Sequence, residues 1–178
     1  ANTLADADGL GSISYQWKRA GAAISGATST SYALVQADVG SAISVTASYT
    51  DGQGTAATVS SSATSAVANI NDAPTGSVTI SGTATQGETL TAANTLADLD
   101  GLGTISYQWK RAGAAITDAT ASTYSLVQAD VGSAITVTAN YTDGQGTAES
   151  VSSTATSAVA NVNDAPTGSV TISGTATQ

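Results

Sequence analysis

The amino-acid sequence predicts an all-β protein made of tandem antiparallel β-sandwich domains. Residues 1–86 align with residues 93–178 without a gap, at an offset of 92, and 72 of the 86 aligned positions are identical. A period of this length is that of a whole domain, not of a solenoid turn. Thr, Val and Ser recur in alternating stretches separated by Gly-rich turns at intervals of about 8–12 residues, a pattern typical of a β-sandwich.

The two prolines of the chain mark the predicted domain boundaries. Pro74 and Pro166 each close a copy of Asn-Asp-Ala-Pro. Proline cannot donate to a β-ladder and holds the preceding residue extended, so a strand is not expected to cross it. We therefore predict a repeat that lacks its first strands at 1–74, a complete repeat at 75–166, and the first strand of a following repeat at 167–178. The short joints favour a semi-rigid array.

The residue pattern in the first half of the complete repeat predicts three strands. They cover Ser77–Ile80, Thr89–Ala92 and Ile105–Lys110. Along the third strand, apolar and aromatic residues alternate with polar ones, so one face is buried. We expect Trp109 to be the core anchor, packed on Val137. Trp17 and Val45 are the equivalent pair in the first copy.

The second half predicts three further strands. The first contains Tyr124 and Leu126, the second covers Ala134–Tyr141, and the third begins near Ala148 and passes Val151. Strict alternation along the second of these predicts one inward and one outward face. The inward residues are Ile135, Val137, Ala139 and Tyr141, and the outward residues are Thr136, Thr138 and Asn140. A corner at 128–133 and a hairpin loop at 142–147 separate the strands, and no segment predicts a helix.

The charge balance excludes several classes of partner. Thirteen acidic residues face four basic ones, which gives a net charge of −9. Nucleic acid and anionic lipid both require a basic surface, so neither is an expected partner. No apolar run approaches the roughly 20 residues of a membrane span. We expect the acidic surface to keep the protein soluble and to offer oxygen ligands to a divalent cation.

The residue inventory also argues against catalysis. The chain contains no His and no Cys, which excludes Ser-His-Asp and Cys-His nucleophilic sites and His-ligated zinc. Its Gly-rich loops lack the phosphate-binding pattern and precede no helix. A near-perfect tandem copy is typical of a structural array rather than of an enzyme, so we predict that the chain is not an enzyme.

Several motifs carry a family resemblance that covers all 178 residues. Tyr-Gln-Trp on one strand, then Tyr-x-Leu, then Ala-Asp-Val-Gly before an alternating strand, resembles an immunoglobulin-like domain. With the Asn-Asp-Ala-Pro joints and the Tyr-Thr-Asp-Gly-Gln-Gly hairpin, the unit resembles the tandem, cadherin-like repeats of giant bacterial surface adhesins secreted by type I systems. The resemblance implies an extracellular, cell-surface location and a role in cell adhesion or biofilm. The paired cysteines of vertebrate immunoglobulin domains are absent.

Acidic residues converge at one end of each predicted sandwich. In an immunoglobulin-like topology, the loop with Asp98 and Asp100, the hairpin with Asp143 and the preceding joint Asn71-Asp72 share that end. Six to eight oxygen ligands suit calcium, which would relieve the repulsion among the carboxylates. We expect calcium at the joint, and adhesin repeats imply the same. The equivalent ligands near the chain ends are Asp6, Asp8, Asp51 and Asp164. The alternative is that Asp-Gly and Asn-Asp only form turns.

The remaining charged residues predict structural roles. Asp38 and Asp130, in the two Ala-Asp-Val-Gly corners, are expected to accept hydrogen bonds from nearby backbone amides. The four basic residues form the pairs Lys18-Arg19 and Lys110-Arg111. Both pairs are expected to be solvated strand edges that discourage aggregation.

Taken together, these patterns predict structural extension repeats of a bacterial surface adhesin or extracellular fibre. The expected partners are neighbouring repeats of the same protein. One hypothesis is head-to-tail association, in which 167–178 of one molecule completes the 1–74 repeat of the next; the alternative is that both ends belong to one continuous chain of repeats. The alternative is a module whose end loops bind a glycan or a protein, which requires an exposed aromatic or apolar patch. The distal ligand does not follow from the sequence.

Overall fold

A computed structural model describes residues 3–178 and divides the chain into two compact units. Unit 1 ends at Asp72 and unit 2 covers Ala73–Gln178. Both are built of antiparallel sheets, and no α-helix occurs among the described residues. This all-β architecture agrees with the predicted fold class.

Unit 1 contains a single four-stranded sheet. Its strands are β1 (Ser14–Arg19), β2 (Ala22–Ala23), β3 (Ile43–Thr50) and β4 (Ala56–Ser60), in the spatial order β2-β1-β3-β4. A short 3-10 turn at Gln36–Asp38 precedes β3. The β1–β2 hairpin has Ala20 and Gly21 at its tip, both with positive φ, as a two-residue type I′ turn requires.

Unit 2 contains an equivalent sheet and a second sheet that covers it. Its strands are β5 (Val78–Ser81), β6 (Thr89–Asn94), β7 (Ser106–Arg111), β8 (Ala114–Ala115), β9 (Thr123–Ser125), β10 (Ile135–Thr142) and β11 (Ala148–Ser152). The four-stranded sheet has the order β11-β10-β7-β8, and the three-stranded sheet has the order β5-β6-β9. Apolar residues from both sheets meet in one core, as in a β-sandwich.

Trp109 lies at the centre of the unit 2 core, as predicted. Its side chain is fully buried, together with Leu90, Ile135 and Val137. The indole stacks on Tyr124 with 5.7 Å between ring centroids, and its Nε1–H donates to the Ala121 carbonyl oxygen at 2.9 Å. The indole therefore buries a large apolar area while its one polar group keeps a partner.

The two four-stranded sheets share one pairing register. Trp17 lies opposite Val45 in unit 1, and Trp109 lies opposite Val137 in unit 2. The inward residues of β10 are buried, as their alternation predicts. Because side chains alternate along each strand, this shared register turns the same residue types to the same face in both units.

The structure corrects one predicted exposure and adds one strand. Thr138, predicted to lie outside, is only 5% exposed although it alternates with the core residues Val137 and Ala139. It lies between Gln108 of β7 and Ser152 of β11, and its hydroxyl bonds the Ser152 hydroxyl at 2.9 Å. The two-residue strand β8 has no counterpart among the predicted strands. Its length is below what a periodic pattern can reveal.

Candidate metal site

Two loops meet at one end of each unit and carry the predicted acidic ligands. In unit 2 they are the loop between β6 and β7 and the hairpin loop between β10 and β11. The Gly144 N–H donates to the carbonyl oxygens of Asp100 and Gly101, at 3.1 and 3.0 Å. In unit 1 the Gly52 N–H bonds Asp8 and Gly9 in the same way, at 3.0 and 3.1 Å. Backbone hydrogen bonds thus hold the two loops together in both copies.

Glycine is required where these loops approach each other. A Cβ on Gly103 would lie 1.9 Å from the Thr142 carbonyl oxygen, and a Cβ on Gly11 would lie 2.1 Å from that of Thr50. Neither distance is tolerable for a carbon and an oxygen. The Asp-x-Asp-Gly-Leu-Gly sequence therefore ends in glycine because the neighbouring backbone occupies the space of a side chain.

The first aspartate of each Asp-x-Asp motif is held on both of its oxygens. In unit 2, Asp98 Oδ1 accepts the Asp100 N–H at 2.9 Å, and Oδ2 accepts the Tyr141 hydroxyl at 2.6 Å. Burial raises the pKa of Tyr141, and the bond to Asp98 raises it further. In unit 1, Asp6 makes the same two bonds, to the Asp8 N–H at 3.0 Å and to the Tyr49 hydroxyl at 2.8 Å. These contacts orient the loop and keep each tyrosine protonated.

The hairpin aspartate of unit 2 has one satisfied and one unsatisfied oxygen. Asp143 Oδ1 accepts the N–H groups of Gln145 and Thr147, at 2.9 and 2.8 Å. Asp143 Oδ2 is the one buried side-chain nitrogen or oxygen without a hydrogen-bond partner in the described part of the chain. Burial raises the pKa of Asp143, but the N–H groups of the turn outweigh it, so the net pKa is lowered. The residue is therefore a buried carboxylate with one oxygen that has no hydrogen-bond partner.

Unit 1 brings its three predicted ligands together. Carboxylate oxygens of Asp6, Asp8 and Asp51 all lie within 4.8 Å of one another. Asp51 uses only Oδ1 for its backbone hydrogen bonds, to Gln53 and Thr55. These bonds, led by that from Thr55, lower the pKa of Asp51. Three carboxylates at this spacing fit a hard divalent cation such as calcium.

The equivalent aspartates differ in exposure between the two units. Asp100 is 4% exposed and Asp143 6% exposed in unit 2, whereas Asp8 is exposed and Asp51 half-buried in unit 1. The charge of a buried carboxylate is desolvated, so a cation is worth more to it than to an exposed one. Among the described residues, however, the acidic group whose oxygens converge within 4.8 Å is that of unit 1, and Asp98, Asp100 and Asp143 do not form such a group.

The three predicted joint residues have different surroundings. Asp72 lies beside a cavity of about 350 Å³ in unit 1 that also contacts Leu34, Val39 and Ile70. Asn71 is exposed. Asp164 Oδ2 accepts the Gln86 side-chain N–H at 3.3 Å. A shared site formed by Asn71 and Asp72 with the unit 2 aspartates remains a prediction.

At the opposite end of each sheet, a partly exposed arginine pairs with a buried aspartate, a contact that the sequence did not predict. Arg111 Nε lies 2.6 Å from Asp130 Oδ1, and Asp130 is fully buried. The same carboxylate accepts the Val127 N–H at 2.7 Å and the Tyr124 hydroxyl at 3.0 Å. The predicted backbone capping by Asp130 is therefore present. The assignment of Arg111 to a solvated edge was wrong, because β7 ends beside the corner that holds Asp130.

Unit 1 repeats this ion pair. Arg19 Nε lies 2.7 Å from Asp38 Oδ1, and the Val35 N–H donates to Oδ2 at 2.8 Å. Burial raises the pKa of Asp38, but the Val35 N–H and the Arg19 guanidinium together hold it below its ordinary value. The signal in the sequence is an Arg at a strand end and an Asp 19 residues later in a corner. Only the folded register shows that the two meet.

Comparison with protein-family models gives no match, and comparison with curated proteins gives no relative. Within residues 3–178, no helix has the length and apolar character needed to cross a membrane.

Proposed function

We propose that the chain comprises structural extension repeats of a bacterial cell-surface adhesin or extracellular fibre, with immunoglobulin-like domains in tandem. One observation supports this proposal: the four-stranded sheets of the two copies have the same register, and several loop hydrogen bonds occur in both copies. The function is to span distance and transmit load outside the cell, not to catalyse a reaction.

The loop contacts illustrate this duplication. The Trp17 indole donates to the Ser29 carbonyl oxygen, and the Trp109 indole donates to that of Ala121, both at 2.9 Å. The side-chain amide of Gln16 donates to the Ile24 carbonyl at 2.8 Å, and Gln108 bonds Ile116 at the same distance. A specialised active or binding site requires loops that differ from those of a scaffold copy. Loops this similar favour a repeated structural role.

Calcium binding belongs to the same proposal. The ligands in unit 1 are Asp6, Asp8 and Asp51, and those in unit 2 are Asp98, Asp100 and Asp143. Two observations support it: the convergence of carboxylate oxygens in unit 1 and the buried, unpartnered Oδ2 of Asp143 in unit 2. A calcium ion would neutralise these charges and tie the two loops of a unit together. Asn71, Asp72 and Asp164 are proposed as additional ligands where repeats join.

Thermal melting of the 178-residue chain with calcium, and then with a chelator, tests the metal site. We expect calcium to raise the melting temperature, because an ion that binds only the folded state stabilises it. Asp143→Asn keeps a side-chain oxygen that can accept the N–H groups of Gln145 and Thr147 but removes the negative charge. This variant should therefore lose much of the increase in melting temperature that calcium produces. Asp118→Asn, which removes an equal charge elsewhere, should retain it. Equal melting with and without calcium would show that the aspartates only form turns.

Single-molecule pulling tests the load-bearing role directly. Unit 2 should unfold in one cooperative step, at a higher force with calcium than after chelation.

A screen of soluble glycans and proteins against the same chain tests the alternative function, that of a binding module. Specific binding that is lost when the loops at 98–103 or 143–147 are altered would contradict a purely structural role and favour a binding module.

A further inference from the structure

Two segments from opposite halves of the unit 2 sequence lie side by side in the folded domain. The leading segment, residues 84–86, lies between β5 and β6, and the trailing segment, residues 159–164, follows β11. They run parallel to each other. The Ala160 N–H donates to the Ala84 oxygen at 2.8 Å, and the Gln86 N–H donates to the Ala160 oxygen at 2.9 Å. Backbone hydrogen bonds thus join an early part of the domain to its last part.

The parallel direction of the two segments decides how tension acts on their pairing. In a tandem array, a pull reaches the leading segment from its N-terminal side and the trailing segment from its C-terminal side. Because the segments run in the same direction, these opposite pulls slide them past each other along their length. The hydrogen bonds between parallel segments are evenly spaced, so such sliding loads them together rather than one after another.

The side chain of Gln86 extends this pairing along the trailing segment. Its Oε1 accepts the Val162 N–H at 3.2 Å, and its Nε2 donates to Asp164 Oδ2 at 3.3 Å. Together with its backbone N–H on Ala160, this one residue bonds three alternate positions of the trailing segment. Both the donor and the acceptor of the amide are therefore used across the same gap.

The corner before β10 holds the trailing segment on its other side. Val159 is 2% exposed and forms a parallel bridge with Val131 of that corner. Asn161 accepts a longer hydrogen bond, of 3.4 Å, from the Gln128 side chain. Both contacts tie the trailing segment to the corner that leads into its own sheet, whereas Gln86 ties it to the segment that leads into the other sheet. Gln86 therefore links the two layers where the chain leaves the domain.

We propose that Gln86 is a mechanical latch, which fastens the trailing segment of unit 2 to the leading segment when the domain is under tension. Its side-chain hydrogen bonds to Val162 and Asp164 must break before the parallel pairing at Ala160 can slide. This inference rests on the proposed function and deepens it, because it names the residue that passes load from one end of a repeat to the other.

Single-molecule measurements at constant force on the 178-residue chain test the latch. The chain contains no cysteine, so Ala73→Cys and Thr167→Cys provide handles through which the force crosses unit 2 alone, and both positions are exposed. A chelator keeps bound metal from contributing to the lifetime of the folded domain. We expect Gln86→Ala to shorten this lifetime about tenfold, because it removes two hydrogen bonds that the force must break.

Gln108→Ala is the matched control. The Gln108 amide donates to the carbonyl oxygens of Trp109 and Ile116, at 2.9 and 2.8 Å. These bonds belong to the β7–β8 hairpin and not to the leading or trailing segment. Both variants should lower the urea midpoint of unit 2, since each loses side-chain hydrogen bonds. Gln108→Ala should change the lifetime under force by less than about threefold, because its bonds do not join the two loaded segments.

The possible outcomes separate this inference from the proposed function. If the unaltered domain resists force but Gln86→Ala and Gln108→Ala have equal lifetimes, the latch is overturned and the load-bearing role stands. An unaltered domain that opens at forces no higher than those that stretch an unfolded chain would contradict the load-bearing role and the latch with it. Gln86→Asn keeps the amide on a shorter side chain and should behave as Gln86→Ala does. An unchanged lifetime of this second variant would also overturn the latch.

Discussion

Units 1 and 2 contain nearly the same sequence but bury it to different extents. The four-stranded sheet has the same strands and register in both. In unit 2 the second sheet seals it, and Trp109 and Leu126 are at most 2% exposed. In unit 1 Trp17 is only half-buried and Leu34 is exposed. Local pairing therefore forms the sheet, whereas burial depends on whether a second layer is present to exclude water.

The same comparison explains why one strand forms in only one unit. Tyr124 lies in β9, which pairs with β6. Its counterpart Tyr32 lies outside any strand, and of residues 29–33 and 121–125 only the tyrosine is identical, the other positions being exchanges among Ala, Ser and Thr. A strand requires a partner for its backbone groups, and the partner of this segment is absent from unit 1.

The largest expected effect comes from removing the core tryptophan of each unit. Trp109→Ala should lower the free energy of unfolding of unit 2 by about 3–5 kcal/mol, the usual cost of a large cavity in a closed core. Trp17→Ala should cost unit 1 clearly less, because its indole is already partly in water. Urea denaturation followed by residue-resolved NMR separates the two units. Equal losses would mean that unit 1 is as well sealed in solution as unit 2.

The next effect tests the close approach of the two loops in the acidic site. Gly103→Ala should cost about 2–3 kcal/mol, because the new methyl group must displace the Thr142 backbone. Gly11→Ala should cost a similar amount in unit 1, since the approach to Thr50 is nearly as close. Gly146→Ala is the control: it meets open space and costs only the strain of its positive φ, about 1 kcal/mol. Similar losses in all three variants, measured by urea denaturation, would argue against this steric account.

Acid should destabilise each unit through an aspartate whose folded-state pKa is lowered. The pKa of Asp38 in unit 1 and that of Asp143 in unit 2 lie below the ordinary value of 3.8. A lowered folded-state pKa means that the stabilisation is complete above about pH 3.8 and is lost as the pH falls through the folded value. Melting temperature between pH 6 and pH 2 should therefore decline below pH 4. Asp38→Asn should flatten that decline for unit 1 but leave unit 2 unchanged.

The smallest expected effect is a gain at the hairpin tips, where the two units do not differ. Ala20 and Ala112 both have φ of 46°, a conformation that alanine adopts at a cost. Ala112→Asn should stabilise unit 2 by about 0.5–1 kcal/mol, because Asn tolerates the first position of a type I′ turn. Ala20→Asn should stabilise unit 1 equally, as judged by urea midpoints. Unequal gains would show that the missing layer also perturbs this hairpin.

The sequence by itself determined the repeat, the all-β class and most strands of unit 2. Alternation along 134–141 identified Ile135, Val137, Ala139 and Tyr141 as core residues, and all four are buried. Core and turn positions follow from local spacing, because side-chain direction in a strand repeats every two residues and turn residues are chosen by backbone conformation. The meeting of the loop with Asp100 and the hairpin with Asp143 was instead expected from an immunoglobulin-like topology, and the Gly144 hydrogen bonds join these two loops.

Only the tertiary structure decided which side chains contact each other and which are buried. The pairing of Arg111 with Asp130, the burial of Thr138 and the unpartnered oxygen of Asp143 depend on which strands lie side by side. Leu34 and Leu126 make the point most directly, since the Leu-Val-Gln-Ala-Asp-Val-Gly sequence that each begins is the same while their exposure differs. Burial is a property of the layers around a residue, and periodicity within one strand cannot show whether the opposing layer is there.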